Sequence, residues 1–228
     1  RDKKLVVLKP FQVGVDDYGT GGFGRTRWTA RYSAPLLSAG DNLAVQTLLA
    51  NGQEFASLRY DMPLGYLPLR ASLWTSLLHY NVNTSLPQYG NALMAGADLS
   101  YPFFFREGGL ITTSLGYEHK QTRDSVFLAR KWFNNLHVRA AGENFLQGRL
   151  SFSGDVTVGN LSIGEGVMLS LDRLWAQSNG GFQKLYADAQ FSQVVTPNSF
   201  FTVSLKGQIA NKNLDALEKF SFRGIMGV

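Results

Sequence analysis

The chain is 228 residues long, 44% hydrophobic and only 17% charged, with a formal net charge of +5 and no cysteine. The missing cysteines exclude disulfides, thiolate metal sites and cysteine nucleophiles, and basic residues scattered along the chain speak against a nucleic-acid partner. No stretch approaches the roughly 18 consecutive apolar residues of a membrane helix, whereas a membrane β-barrel turns only alternate residues to lipid and tolerates a mean hydropathy of −0.10.

The chain opens with Arg1-Asp2-Lys3-Lys4, which offers neither an initiator methionine nor the apolar core of a signal peptide, so processing or excerpting is expected to have removed what came before. After a Gly-rich segment at 19–24, Trp28, Ala30 and Tyr32 fall on one side of an alternating run and Arg25, Arg27, Thr29 and Arg31 on the other. A helix would not sort arginines from aromatics at every second position. Leu43, Val45, Thr47 and Leu49 then alternate with Ala44 and Gln46. Less cleanly, Ser72, Trp74, Ser76, Leu78 and Tyr80 alternate with Leu73, Thr75, Leu77 and His79. Near the end, Leu185, Ala187, Ala189 and Phe191 oppose Lys184, Asp188, Gln190 and Ser192, and Phe201, Val203 and Leu205 oppose Thr202, Ser204, Lys206 and Gln208.

Turn residues separate these runs at 38–42, 63–65, 106–109 and 196–199. The spacing predicts an all-β chain of about eleven antiparallel strands. Each has roughly ten residues, the length of a tilted membrane strand rather than the five or six common in soluble sheets. With 33–42, 63–68, 102–109 and 196–199 as one end, that end is compact, and the opposite end holds 16–24, 81–91, 121–132 and a long segment near 156–181. Such asymmetry belongs to outer-membrane barrels. Tyr66, Tyr101, Phe103, Phe104, Phe105, Trp132 and Trp175 are candidates for interfacial girdles, with core or turn packing as the plainer account.

Single-chain bacterial barrels usually close with an even strand count, and an open edge in lipid leaves N–H and C=O groups unsatisfied. Eleven strands therefore predict a partial barrel domain over 1–228, an excerpt or a truncated product, that forms no stable channel alone.

Catalytic alternatives fare poorly. Gly19-Thr20-Gly21-Gly22-Phe23-Gly24 has the spacing of a dinucleotide cradle, but a cradle needs a helix N-terminus behind it, and Arg25–Tyr32 alternates as a strand. Asp16 and Asp17 are adjacent, so on a strand they point to opposite faces and make a poor acid–base or calcium pair. His79, His119 and His137 show no metal-ligand spacing. No catalytic residue, cofactor site or metal site is expected. Arg25, Arg27, Arg31, Arg59, Asp98, Lys184, Asp188 and Lys206 fall on the expected lumen face. They serve there either as simple solvated lining or as charges that guide an unfolded polypeptide or hold a plug.

Specific segments add a family likeness. Phe11-Gln12-Val13-Gly14-Val15-Asp16-Asp17-Tyr18-Gly19, then Gly24-Arg25, then Leu37-Ser38-Ala39-Gly40-Asp41-Asn42-Leu43, resemble the opening of the barrel in two-partner secretion transporters. This is the TpsB family that exports filamentous haemagglutinins and haemolysins. Further matches are Tyr60-Asp61-Met62-Pro63-Leu64-Gly65, Leu99-Ser100-Tyr101-Pro102 and Gly180-Gly181-Phe182-Gln183-Lys184-Leu185. Gln208–Asp215, Glu218-Lys219-Phe220-Ser221, Gly224 and Gly227-Val228 resemble the approach to the family's sixth extracellular loop, although Arg223 and Ile225 depart from its usual Gly-Gly-Pro.

The resemblance implies a sixteen-stranded outer-membrane barrel preceded by periplasmic POTRA domains. It implies a gating loop that folds back into the barrel, approached here by Phe220, Gly224, Gly227 and Val228, with its arginine-bearing tip beyond Val228. It also implies export of a large unfolded exoprotein, driven by folding outside rather than by a nucleotide, with membrane lipid as the other partner. A passive porin, another outer-membrane assembly barrel and a soluble β-sandwich binding module remain as alternatives.

Overall fold

Each alternating run becomes a strand, and each strand pairs antiparallel with its neighbour in sequence. The computed structural model describes residues 10–16, 26–37, 40–65, 68–82, 88–106, 109–124, 130–144, 149–164, 179–196, 199–215 and 218. The strands are β1 (Phe11–Asp16), β2 (Arg27–Ala34), β3 (Asn42–Ala50), β4 (Gln53–Pro63), β5 (Arg70–Val82), β6 (Gln88–Arg106), β7 (Gly109–Asp124), β8 (Arg130–Asn144), β9 (Arg149–Ile163), β10 (Gly180–Thr196) and β11 (Ser199–Ala210). They form one sheet in the order β1 to β11, with β1 and β11 at its two edges.

Because directly paired residues share a face, the register sorts the whole sheet. One cross-strand row runs Tyr60, Leu73, Ala97, Tyr117, Leu136 and Val158. The row beside it on the opposite face runs Asp61, Ser72, Asp98, Gly116, His137 and Thr157. The first face is apolar and open: Leu73, Leu99, Leu115, Leu136, Val138, Val156 and Leu185 are all exposed. The buried groups lie on the second: Ser72, Ser76, Asn135, Asp155 and Thr157, along with Leu48, Phe55, Phe133, Leu161 and Phe182. This inverts the arrangement of a soluble domain. The chain exposes 16199 Å², against roughly 10,000 Å² for a compact soluble chain of its mass. One layer of sheet with a greasy outside suits lipid.

From β5 onward the strands are longer than the spacing predicts, whereas β1, β2 and β3 have 6, 8 and 9 residues. β6 has 19 residues, β10 has 17 and β7 has 16, where about 9–11 suffice for a crossing. The connections shrink accordingly, to 83–87, 125–129 and 164–179 at one end and 107–108 at the other. The asymmetry between ends is also softer than expected, since β3 and β4 are joined by residues 51–52 alone while 35–41 and 64–69 lie at the compact end.

Two local devices shape the sheet. Pro102 has no N–H to give, and the β6–β7 register shifts between Pro102 and Phe104, leaving Phe103 unpaired and exposed. On the polar face the Trp74 ring lies over Gly96, where a Cβ would come within 2.6 Å of it. Tyr80 over Gly90 and Phe182 over Gly159 repeat the arrangement.

Candidate functional site

The polar face gathers nearly all the ionic chemistry of the described residues. Its centre lies on β7 to β10, where alternation points Glu118, Lys120, Asn135 and Lys184 to the same side. After β11 the chain does not leave the sheet. Asn211 N donates to Gln183 O at 3.1 Å, and Lys131 Nζ meets Asp215 Oδ2 at 2.7 Å. The segment ends, among the described residues, at Glu218, whose side chain is 0% exposed. Lys120 Nζ donates to Glu218 Oε1 at 2.9 Å, Asn135 Nδ2 to the same oxygen at 3.0 Å, and Lys184 to Oε2. Gln208 Nε2 holds the Glu218 carbonyl at 2.9 Å.

One carboxylate thus ties β7, β8 and β10 to the segment following β11. Burial pushes the Glu218 carboxyl upward, but the Lys120 and Lys184 ammonium groups more than offset it and hold the group below its ordinary value. Lys120 also meets Glu118 Oε1 at 2.8 Å, so two carboxylates and two ammoniums share the cluster.

Further along the same face, Asp98 accepts from Trp74 Nε1 at 3.0 Å and meets His137 Nε2 at 2.9 Å. This bridge passes over β7 because Gly116 stands between: a Cβ there would collide with both side chains. Arg139 Nε donates to Asp155 Oδ2 at 3.2 Å, and Thr157 to Asp155 Oδ1 at 2.6 Å. Arg59 Nε donates to Asp61 at 2.9 Å, and Ser72 bonds the same carboxylate. Among the described residues, charges on this face neutralise one another in short cross-strand groups.

The seven described members of the expected set share this face. Arg27 pairs with Asp16 at 2.7 Å, Arg59 with Asp61, Asp98 with His137, and Lys184 with Glu218. Asp188 bonds Ser153 and sits opposite Lys206. Arg31 lies exposed between Gln12 and Gln46. Arg25 lies outside the described residues, as do Asp17, the whole 19–24 glycine segment, Tyr66, Trp175, and the loop-approach residues Phe220, Gly224, Gly227 and Val228. Asp16 is the last residue of β1. The three histidines stay apart: His79 and His119 belong to the apolar-side rows, bonded to Asn91 and Asn134, and His137 to the polar face. Among the described residues no acidic or histidine group is arranged to hold a metal.

The turn motif of the resemblance has a structural purpose. Gly40 has a φ of 96°, open to glycine at little cost. Asp41, buried behind it, accepts from Leu36 N at 3.0 Å, Leu37 N at 2.8 Å and Tyr60 Oη at 2.7 Å. Arg70 donates to the Gly40 carbonyl at 3.0 Å. The Gly-Asp pair therefore locks the β2–β3 turn to the β4–β5 turn.

Sequence reasoning missed Lys120, Asn135, His137, Arg139 and Asp155. Their period-two spacing was the available signal, blurred because polar residues such as His119 and Asn134 occupy the other face there as well.

Comparison with known proteins places this architecture. The haemolysin secretion/activation protein family ShlB/FhaC/HecB matches residues 8–228. The heme/hemopexin transporter protein HuxB of Haemophilus influenzae (strain 86-028NP) is 24% identical over 229 aligned residues, covering 95% of this chain and 40% of HuxB. The structure of CdiB from Escherichia coli superposes with a TM-score of 0.72 at 18% identity, over 91% of this chain and 42% of CdiB. The chain thus spans about two fifths of the length of each of these relatives. The extent of the family match and the agreement in fold settle the affiliation: the chain belongs to the ShlB/FhaC/HecB family of haemolysin secretion/activation proteins, β-barrels of the Gram-negative outer membrane.

Proposed function

We propose that this chain forms most of the wall of a translocation pore that exports a large exoprotein, of adhesin or haemolysin type, across the outer membrane. The single observation that carries the reading is the segment after β11, bound across the polar face through Glu218 to Lys120, Asn135 and Lys184. A passive pore has no need of a strap tied to three strands of its own lining. A conduit that must stay shut until cargo arrives does.

In this reading the apolar face meets lipid, with Tyr101, Phe103 and Trp132 near its margins, and the polar face lines the lumen. Arg25, Arg27, Arg31, Arg59, Asp98, Lys184, Asp188 and Lys206 lie along the route. By the family resemblance, Phe220, Gly224, Gly227 and Val228 belong to the approach to the gating loop. The charges are mostly compensated in pairs, so an extended polypeptide meets a wetted wall with few strong binding points. Transit is driven by folding outside, with no nucleotide hydrolysis. Periplasmic domains capture the exoprotein, and further strands cover the edges at β1 and β11, since each unsatisfied backbone group in lipid costs several kcal/mol.

The test is genetic and biochemical. Disrupting the gene should abolish surface appearance of one large secreted protein, and the wild-type gene should restore it. A porin would restore small-solute uptake and leave export unchanged. Steady single-channel conductance from the purified 228-residue chain would contradict the expectation that it does not close alone.

A further inference from the structure

The strands overshoot on the side carrying 17–26, 83–87, 125–129 and 164–179, and there the apolar face changes character. One row runs Ala56, Leu77, Leu93 and Gln121, and the next row outward runs Glu54, His79, Asn91, Arg123 and Arg130. A shallow concavity opens across both rows, lined by Leu49, Leu77, Leu93, Asn91, Arg123 and Arg130 among others. Its floor is greasy and bare, with Leu49 54%, Leu77 57% and Leu93 40% exposed. At its edge Arg123 and Arg130 are direct cross-strand partners on the same face.

Like charges placed opposite one another in a sheet repel. Among the described residues neither arginine is hydrogen-bonded or ion-paired to a carboxylate, while most cations of the polar face are. Glu54 closes the row three strands away from Arg123, roughly 14 Å off at the usual strand spacing. His79 is engaged with Asn91 at 2.6 Å. Trp132 stands beside Gln121 in the inner row, as an interfacial aromatic does. The arrangement is an anion seat set immediately above an acyl-sized apolar strip.

We propose that Arg123 and Arg130 clamp a phosphate of an outer-leaflet glycolipid, whose acyl chains lie along Leu49, Leu77 and Leu93. Guanidinium forks bind phosphate bidentately, and a basic cluster beside an apolar surface is the recognised pattern for a lipid headgroup. The outer leaflet of this membrane is built of phosphorylated, multiply acylated glucosamine lipid, which supplies both parts. The assignment rests on the proposed orientation, with the 125–129 connection outside the cell.

The transporter is extracted from outer membranes in mild detergent, and retained lipid is measured by native mass spectrometry. The wild-type protein should keep a phosphorylated glycolipid through delipidation and exchange it for added lipid A, but not for its dephosphorylated form or for phosphatidylethanolamine. Arg123→Gln with Arg130→Gln should reduce retention several-fold, the double lysine variant should keep most of it, and Arg31→Gln on the other face should leave it unchanged. Equal retention by the double glutamine variant, or equal uptake of phosphatidylethanolamine, would overturn the site in favour of ordinary annular lipid. Since the chain has no cysteine, Ser125→Cys labelled on intact cells by an impermeant maleimide reports orientation separately. Labelling with no lipid retained defeats the site alone, and labelling only after permeabilisation defeats the orientation and the site with it.

Discussion

The first strands and the later ones obey the same alternation yet are held very differently. β1 and β2 have 6 and 8 residues, and β1 is exposed on both faces except at its last position. On the polar face Asp16 pairs with Arg27, with both side chains partly open to solvent. β7 to β10 run to between 15 and 17 residues. They enclose Phe133 and Asn135 almost completely, and Glu218 spans them. Alternation decides which way a side chain points. Whether a region is rigid depends on what lies over it, and among the described residues the covering segment lies over β7–β10.

The largest test of that contrast is Glu218→Ala. It leaves Lys120 and Lys184 facing each other without their shared carboxylate, at a cost of about 3 kcal/mol. Protease cleavage after residue 210 should increase and open-channel current should rise, with the barrel still heat-modifiable. An unchanged cleavage pattern would remove the strap from the account. Acid should act on the same link. The Glu218 carboxyl is held below its ordinary value of 4.5, so its contribution is complete above that pH and disappears only as pH falls through the depressed value. Strap protection should therefore persist through mild acid and disappear in strong acid.

Next comes Asp41→Ala, which orphans the N–H groups of Leu36 and Leu37 and the Tyr60 hydroxyl. The expected loss is about 2 kcal/mol in unfolding stability, visible as a lower heat-modification temperature. Gly116→Ala should cost about 1–2 kcal/mol by wedging apart Asp98 and His137, whereas Gly207→Ala on β11, where a Cβ meets nothing within 4 Å, should be neutral. If both glycine variants behave alike, the bridge over β7 is not holding the sheet. The smallest effect is Arg27→Gln, within about 1 kcal/mol for a partly exposed pair. Hydrogen exchange should show β1–β2 amides exchanging early whether or not the pair is present.

Much of this was legible beforehand, and the limits have physical causes. Lys184 and Asp188 could be assigned to one face from Leu185, Ala187 and Ala189 between and beside them, because a strand has only two sides. The eleven strands followed from the same rule with turn residues between. The extents of β8 and β9 did not. Where strands continue past the apolar band, His119, Asn134 and Asn160 make both sides polar and the alternation fades. That is also why the 156–181 stretch looked like a long connection when β9 in fact continues to Ile163. Glu218 could be matched to a family segment, but its partner Lys120 lies 98 positions earlier, and no local pattern says which strand a returning segment will cross.

The rings seated on glycines have a consequence for passage. Trp74, Tyr80 and Phe182 all belong to the polar face, where upright aromatics would stand out like posts. Each instead lies sideways over the bare backbone of the adjacent strand, at Gly96, Gly90 and Gly159. In the export reading proposed above, a sliding polypeptide would brush the flat faces of Trp74 and Tyr80 rather than catch on protruding rims, while Phe182 is buried outright and takes no width from the bore.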